Sequence, residues 1–363
     1  MREKKIRSKN WAGVVLILGL ICCMLLAGCG PAAQATQKAV KSPQAGMQVH
    51  FLDVGQADCT LIQTEEMAML IDAGNWEDQE RILDYLDGQG IERLDYVIGT
   101  HPHEDHIGSM GAVIRRYDIG TLILPDKIHT TAAYEDMLQA AADKGLSVTL
   151  PEVGERYGLG DGAWFSIVAP VKDYGDNLNN WSVGVRVTYG EDHFLFCGDA
   201  EAEAEADMQR TGEALKAQVW KVSHHGSSTS NTPEFLDAVE PAYGVISCGK
   251  DNSYGHPDQS VLKELAKRGV ETYRTDEQGT IVAMASGSGV TFSCVPDKSV
   301  EADSVLEEEA EAKGSETMVH RTKSGKKYHR EGCGYLRDSD LELSLEEAKE
   351  LGLTPCSKCN PPQ

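Results

Sequence analysis

The segment His101-Pro102-His103-Glu104-Asp105-His106 constrains this chain more than any other. Four metal-ligating side chains, His101, His103, Asp105 and His106, fall within six residues. They follow the apolar run Tyr96-Val97-Ile98-Gly99-Thr100, which reads as a buried strand. A strand end is held rigidly, and the loop after it can turn several side chains toward one point. His101 and His103 can share one metal while Asp105 and His106 reach a second. Imidazole and carboxylate together suit zinc, manganese or iron rather than a thiolate-only site. The alternative is a polar loop with chance histidines. Three of the chain's eleven histidines in one hexapeptide weigh against it.

Other apolar runs end in ligand-type residues. Met69-Leu70-Ile71 closes on Asp72 and a Gly turn. Phe196-Cys197-Gly198-Asp199 ends a second strand with a carboxylate, and Val219-Trp220-Lys221-Val222-Ser223-His224-His225-Gly226 ends a third with two imidazoles. Tyr254-Gly255-His256-Pro257 adds one more. Each is weak alone. Together they gather ligand types at strand ends across one domain, as a di-metal site requires.

In that order, IDAG, THPHEDHIG, FCGDA and VSHHGS resemble the metallo-β-lactamase superfamily. More narrowly, residues 47–296 resemble the hydrolase domain of the ComEC competence family. That likeness rests on the runs His50–Asp58, Asn179–Val183, Lys221–Ser227, Tyr254–Pro257 and Tyr273–Ile281. Ala57 stands where that family usually has Gly. The resemblance implies an α/β fold, an αββα sandwich, with two divalent metals, zinc or manganese, at one edge between the sheets. A hydroxide held between ions about 3.5–4 Å apart would be the nucleophile. By motif, His101, His103 and His225 would hold one metal, Asp105, His106 and His256 the other, and Asp199 would bridge. Asp105, Asp199 and His224 are the expected catalytic groups. Asp72 and Asp58 are expected behind the ligands, Asp72 orienting an imidazole. A superfamily histidine between the hexapeptide and the Gly198-Asp199 turn has no counterpart. Asn179, Asn180 and Ser182 occupy that segment. His225 can fill the gap, leaving His224 to meet substrate, or the two exchange roles. Asn180, Ser182, Ser227 and Ser228 could donate hydrogen bonds to a phosphate, or simply cap turns.

The chain's start is of another kind. Arg2, Lys4, Lys5, Arg7 and Lys9 precede an apolar run from Trp11 to Ala27, which reads as a signal peptide over residues 1–28. Leu26-Ala27-Gly28-Cys29 resembles a bacterial lipobox, so Cys29 is the expected lipidation site. The protein would then sit outside the cytoplasmic membrane, anchored to it through lipid. An uncleaved anchor helix is the alternative. Residues 29–46 read as a tether. Without residues 1–28, 29 basic residues face 56 acidic ones, a balance of −27. Such a surface repels polyanions over about a Debye length. It opposes non-specific DNA binding by the body of the protein, although metal ions invert the field in a cleft. Cys59, Cys197, Cys248 and Cys294 lie in or beside apolar runs and read as core thiols.

Within residues 47–296, Gln79–Leu86, Tyr134–Lys144, Ala200–Thr211, Pro233–Val239 and Ser260–Arg268 read as helices. The Glu/Ala alternation over Ala200–Asp207 reads as a solvated face. Residues 297–316, with eight acids against two bases, read as a disordered linker. Residues 317–363 start afresh. His329 and Cys333 pair with Cys356-Ser357-Lys358-Cys359 in the pattern of a closed tetrahedral zinc site. Some forty residues need such a metal to fold. This tail resembles small Ada-type zinc modules. Lys323, Lys326, Lys327 and Arg330 form a basic patch within it.

Three functions fit: a surface phosphodiesterase or nuclease acting on extracellular DNA or a cell-envelope phosphodiester, a lactam or thioester hydrolase, and a non-catalytic metal-binding lipoprotein. Asp199 in the bridging position, rather than a Cys, favours phosphodiesters. The residues leave the oligomeric state open.

Overall fold

Short strands, each apolar on at least one face, build two sheets. The computed structural model describes residues 46–297, 317–337 and 339–363. The expected signal peptide, Cys29, the tether up to residue 45 and linker residues 298–316 lie outside them. The first sheet contains β1 (Met47–Phe51), β2 (Thr60–Gln63), β3 (Ala68–Ile71), β4 (Arg93–Ile98), β5 (Asp118–Ile123) and β6 (Val148–Thr149). The second contains β7 (Arg156–Gly158), β8 (Trp164–Ala169), β9 (Gly184–Tyr189), β10 (Asp192–Phe196), β11 (Val219–Lys221), β12 (Tyr243–Ile246) and β13 (Glu271–Arg274). The chain then returns through β14 (Ile281–Ala285) and β15 (Val290–Phe292) to the first sheet, where β14 pairs antiparallel with β1. The first sheet runs β15-β14-β1-β2-β3-β4-β5-β6 and the second β13-β12-β11-β10-β9-β8-β7. In each, antiparallel hairpins give way to parallel strands: β3 through β6 in one, β10 through β13 in the other.

Alternation along the strands separates three cores. Phe194 and Phe196 of β10 join Phe51, Ile71, Ile98 and Val185 between the sheets. Leu195, between them in sequence, points the other way and packs with Trp220, Phe235 and Leu265 under the helices of the second sheet. In β4, Ile98 points into the core between the sheets, while Leu94 and Val97 meet Ile82, Leu86 and Val113. The layers are therefore helix, sheet, sheet, helix, the αββα order.

The helices fall close to expectation: Gln79–Gly88, Ala132–Asp143, Pro233–Val239 and Gln259–Lys267. The helix after Asp199 is shorter than expected, spanning Ala202–Met208, and its outward character is not uniform. Glu205 is fully buried and accepts bonds from Asn231 N, Thr232 N and Thr232 Oγ1. Composition alone misread it, because the partners that make burial tolerable lie 26 and 27 residues away. Cys59, Cys197 and Cys248 are buried free thiols, and Cys294 is half-buried. The tail forms its own four-stranded sheet, β18-β16-β17-β19 in order, from β16 (Met318–Arg321), β17 (Lys327–His329), β18 (Leu341–Ser344) and β19 (Thr354–Pro355). Among the described residues, no helix is long and apolar enough to cross a membrane.

Candidate metal centre

Parallel strands of both sheets end at the same place, so the loops that follow them converge. β3 delivers Asp72, β4 the hexapeptide, β10 Asp199, β11 His224 and His225, and β12 Ser247. The hexapeptide turns into a one-turn helix, Glu104–Ile107, which fixes Asp105 and His106. The turn before Asp199 depends on Gly198 (φ +51°). A Cβ there would lie 2.8 Å from Ser182 Oγ and 2.9 Å from Thr100 Cβ. His224 and His225 both hold left-handed backbone, φ 53° and 54°, each a costly conformation for a non-glycine residue.

Two donor groups share Asp199. In one, a nitrogen of His101, a nitrogen of His103 and an Asp199 oxygen lie within 4.8 Å of one another. In the other, Asp105, His106, Asp199 and His225 do the same. Asp199 Oδ1 is 3.2 Å from His106 Nε2, and Oδ2 is 3.8 Å from His101 Nε2. His225 Nε2 lies 3.2 Å from Asp105 Oδ2 and 3.8 Å from Asp199 Oδ2.

Groups behind the donors hold their orientation. Asp72 accepts from Thr100 N and Thr100 Oγ1, both at 2.8 Å, and its Oδ2 lies 2.8 Å from His106 Nδ1. That contact keeps the His106 proton on Nδ1 and turns Nε2 toward Asp199. His225 Nδ1 donates to the Ser247 carbonyl at 2.9 Å, with Asp58 Oδ1 at 3.3 Å. Asp58 pairs with Lys221 Nζ at 2.9 Å. Ser182 Oγ accepts from Asp199 N at 3.0 Å and approaches His101 Nδ1 at 3.4 Å.

The donor set fits divalent cations. His106 Nε2 and Asp199 Oδ1 are buried with no hydrogen-bonding partner, although both face the same space. His101 Nε2 and His103 Nδ1 point at each other across 2.9 Å. The electrostatics say the same. Burial alone would raise the Asp199 carboxyl, but His106, His225 and His101 hold it well below the usual range. Burial would lower His225, but Asp199 and Asp58 push it up to about 10. His106 is likewise driven well above its ordinary value by Asp199, Asp72 and Asp105, against burial. Carboxylates thus crowd a spot that demands positive charge, and dications would supply it.

Residues 52–250 match the Metallo-beta-lactamase superfamily, more than half of the chain. The chain belongs to that superfamily. It is similar to the ComE operon protein 3 of Bacillus subtilis (strain 168), 29% identical over 267 residues, which cover 69% of this chain and 34% of that protein. It is also similar to Recombination protein 2 of Haemophilus influenzae, 30% identical over 241 residues, covering 65% of this chain and 28% of that one. The chain spans about a third of the length of these relatives. A solved structure it is similar to is Igni18, a metallo hydrolase from Ignicoccus hospitalis, at 19% identity, 65% coverage of this chain, 98% of that one, and a TM-score of 0.45. Superfamily membership and the donor groups together make this a metal-dependent hydrolase fold related to competence proteins.

The structure places three sets of expected site residues differently. His225 does not join His101 and His103; its Nε2 faces Asp105 and Asp199, so it belongs to the second group. His256 belongs to neither group. Its ring lies 5.7 Å from that of His224 and it lines the pocket beside them. Asn180, Ser182, Ser227 and Ser228 are not on the pocket wall. Asn180 accepts from Glu201 N at 2.9 Å, Ser182 is sealed behind Asp199, Ser227 bonds Thr229, and Ser228 bonds Asp258. Each of the four thus has a partner within the protein, the turn-capping role the sequence also allowed. His224 remains at the opening, 19% exposed, its Nε2 3.5 Å from Asp199 Oδ2.

The pocket, about 290 Å³, is lined by donor residues together with Gln56, Glu104, Asn179, His224, Tyr254 and His256. Sequence reasoning missed Lys221, Asn231, Glu205 and Tyr254. Lys221 carried a signal: a lysine within Val219-Trp220-Lys221-Val222 must be buried and therefore paired. In the tail, donor atoms of His329, Cys333, Cys356 and Cys359 all lie within 4.8 Å of one another.

Proposed function

We propose that this protein is a di-metal phosphodiesterase held outside the cytoplasmic membrane, with DNA its leading natural substrate. The observation that carries the reading is Asp199, one carboxylate whose oxygens face two separate donor groups. His101, His103 and Asp199 would hold one ion, and Asp105, His106, His225 and Asp199 the other. Bound there, a pair of zinc or manganese ions lowers the pKa of water and neutralises charge on the departing oxygen.

The chain's own groups do the rest. Asp72 and the Ser247 carbonyl take up the Nδ1 sides of His106 and His225, so in each ring Nε2 is the nitrogen turned inward, and an ion bound there would take the place of its proton. Lys221 fixes Asp58, which backs His225. His224 stands at the opening within reach of a substrate oxygen and is the group placed to hand a proton to a leaving alkoxide. The competence relatives support DNA as substrate, and the acidic surface opposes it. A cell-envelope phosphodiester is the next candidate. The basic start, the apolar run and Leu26-Ala27-Gly28-Cys29 support export and lipidation at Cys29. His329, Cys333, Cys356 and Cys359 fit one structural zinc.

The test compares bis(p-nitrophenyl) phosphate with nitrocefin, each with and without a chelator. Chelator-sensitive diester cleavage is the expected result. Turnover of nitrocefin alone would make the protein a lactam hydrolase, and turnover of neither would make it a non-catalytic metal-binding protein. Failure of a diester-cleaving enzyme to cut single- or double-stranded DNA would move the natural substrate to the envelope.

A further inference from the structure

Tyr254 is 73% exposed, yet it lines the pocket that holds the donor residues. Its ring is therefore open to whatever occupies the pocket. Its position is built. Asn252 Oδ1 accepts from Tyr254 N and from His256 N, both at 3.1 Å, and Asn252 Nδ2 donates to the Gly249 carbonyl at 2.9 Å. The ring lies against His256, with centroids 5.7 Å apart and planes 24° from parallel. One face is thus backed by an imidazole, and the ring is presented at the pocket mouth on a tied loop.

The rest of the wall sharpens the point. Among the described residues, no lysine or arginine lines this pocket, and Glu104 contributes a carboxylate. The usual means of holding a phosphate chain, cationic side chains along the groove, is missing from it. Beyond the metals, affinity must come from neutral contacts. The wall offers the Tyr254 ring, with Asn179 lining the same pocket. An exposed aromatic face suits a planar ring that can stack on it.

We propose that Tyr254 is a specificity-determining residue, stacking a planar ring attached to the phosphodiester beside the metal centre. The proposal rests on the phosphodiesterase reading for its kinetic arm but not for its binding arm. The metal-loaded full chain is tested with thymidine 5′-(p-nitrophenyl phosphate) and methyl p-nitrophenyl phosphate, which share the leaving group and differ in the base. Tyr254→Ala should lower kcat/KM for the thymidine diester roughly tenfold, the size of one base–aromatic stack, mainly through KM. It should leave the methyl diester within about twofold, and Tyr254→Phe should behave as the parent. Equal losses on both diesters would overturn the proposal.

Binding of thymidine 5′-monophosphate and of methyl phosphate is measured alongside. The parent should bind the nucleotide roughly tenfold more tightly, and Tyr254→Ala should erase that preference. Equal affinity of the parent for both phosphates would overturn the proposal even if diesters are cleaved. A retained, Tyr254-dependent preference without any cleavage would sustain it while the phosphodiesterase reading fell.

Discussion

Replacing Asp199 with alanine removes the carboxylate that faces both His101 Nε2 and His106 Nε2, and two dications bound there would repel each other. Turnover should fall by at least ~10²–10³, with circular dichroism unchanged, and metal analysis should find fewer than two ions in the hydrolase domain. A variant keeping a tenth of the parent rate would reduce Asp199 to a turn residue. A second side chain acts far from the chemistry. His50 is buried on β1, its Nδ1 2.8 Å from the Tyr85 hydroxyl, and burial pushes its pKa down to about 4. The fold therefore favours neutral His50, whereas the unfolded chain protonates it near pH 6.5. Its contribution is whole above pH 6.5 and fades as pH falls toward 4, by about 2 kcal/mol at pH 5. In urea titrations, His50→Gln should flatten the loss of stability between pH 7.5 and 5 by about that amount. Parallel parent and variant curves would count against it.

Between β11 and the helix Pro233–Val239, the turn bearing His224 and His225 is held by Asn231. Its Oδ1 accepts from Ser223 N at 3.0 Å, and its Nδ2 donates to the Ser223 and Ser227 carbonyls at 3.1 and 2.8 Å. Glu205, on the helix after Asp199, accepts in turn from Asn231 N at 2.6 Å. One buckle thus links the Asp199 segment to two imidazoles in left-handed backbone. Asn231→Ala leaves buried backbone groups unpaired, at a cost of about 1–3 kcal/mol. It should also weaken the ion held by Asp105, His106 and His225 about 10–100-fold while sparing the ion at His101 and His103. Chelator competition reads the two affinities separately. A uniform loss at both would make the buckle a matter of general stability.

Seen whole, the chain carries its donor groups on separate sheets. The centre draws on the two large sheets, whereas His329, Cys333, Cys356 and Cys359 belong to the part built on the small one, which among the described residues shares no strand pairing with either. Protein lacking residues 1–29 should hold about three metal ions per chain, two in the centre and one in the tail. Ending the chain after Asp297 should remove one ion and preserve cleavage of a small diester. Loss of that cleavage would tie the tail to the active domain.

Several things were decided by local chemistry and could be read from residue order. The period of two in β10 set which side chains face the core between the sheets. The carboxylates and imidazoles at strand ends marked where metals would sit, and the spacing of His329, Cys333, Cys356 and Cys359 marked a compact donor set. The assignment of His225 to the Asp105 group could not be read that way. It depends on a left-handed turn whose hydrogen bonds come from Asn231, and on the Ser247 carbonyl, 22 residues beyond His225. For Asn180, Ser182, Ser227 and Ser228 the sequence left phosphate binding and turn capping both open, because the backbone groups that Asn180 and Ser182 meet belong to the Asp199 segment and the carboxylate that Ser228 meets is Asp258, on another loop. Glu205 looked solvated for the same reason. Residue types and local spacing fix which donors exist. Which donors face one another is set where strands from two sheets end together, because distance in space, not along the chain, determines who shares a proton or an ion.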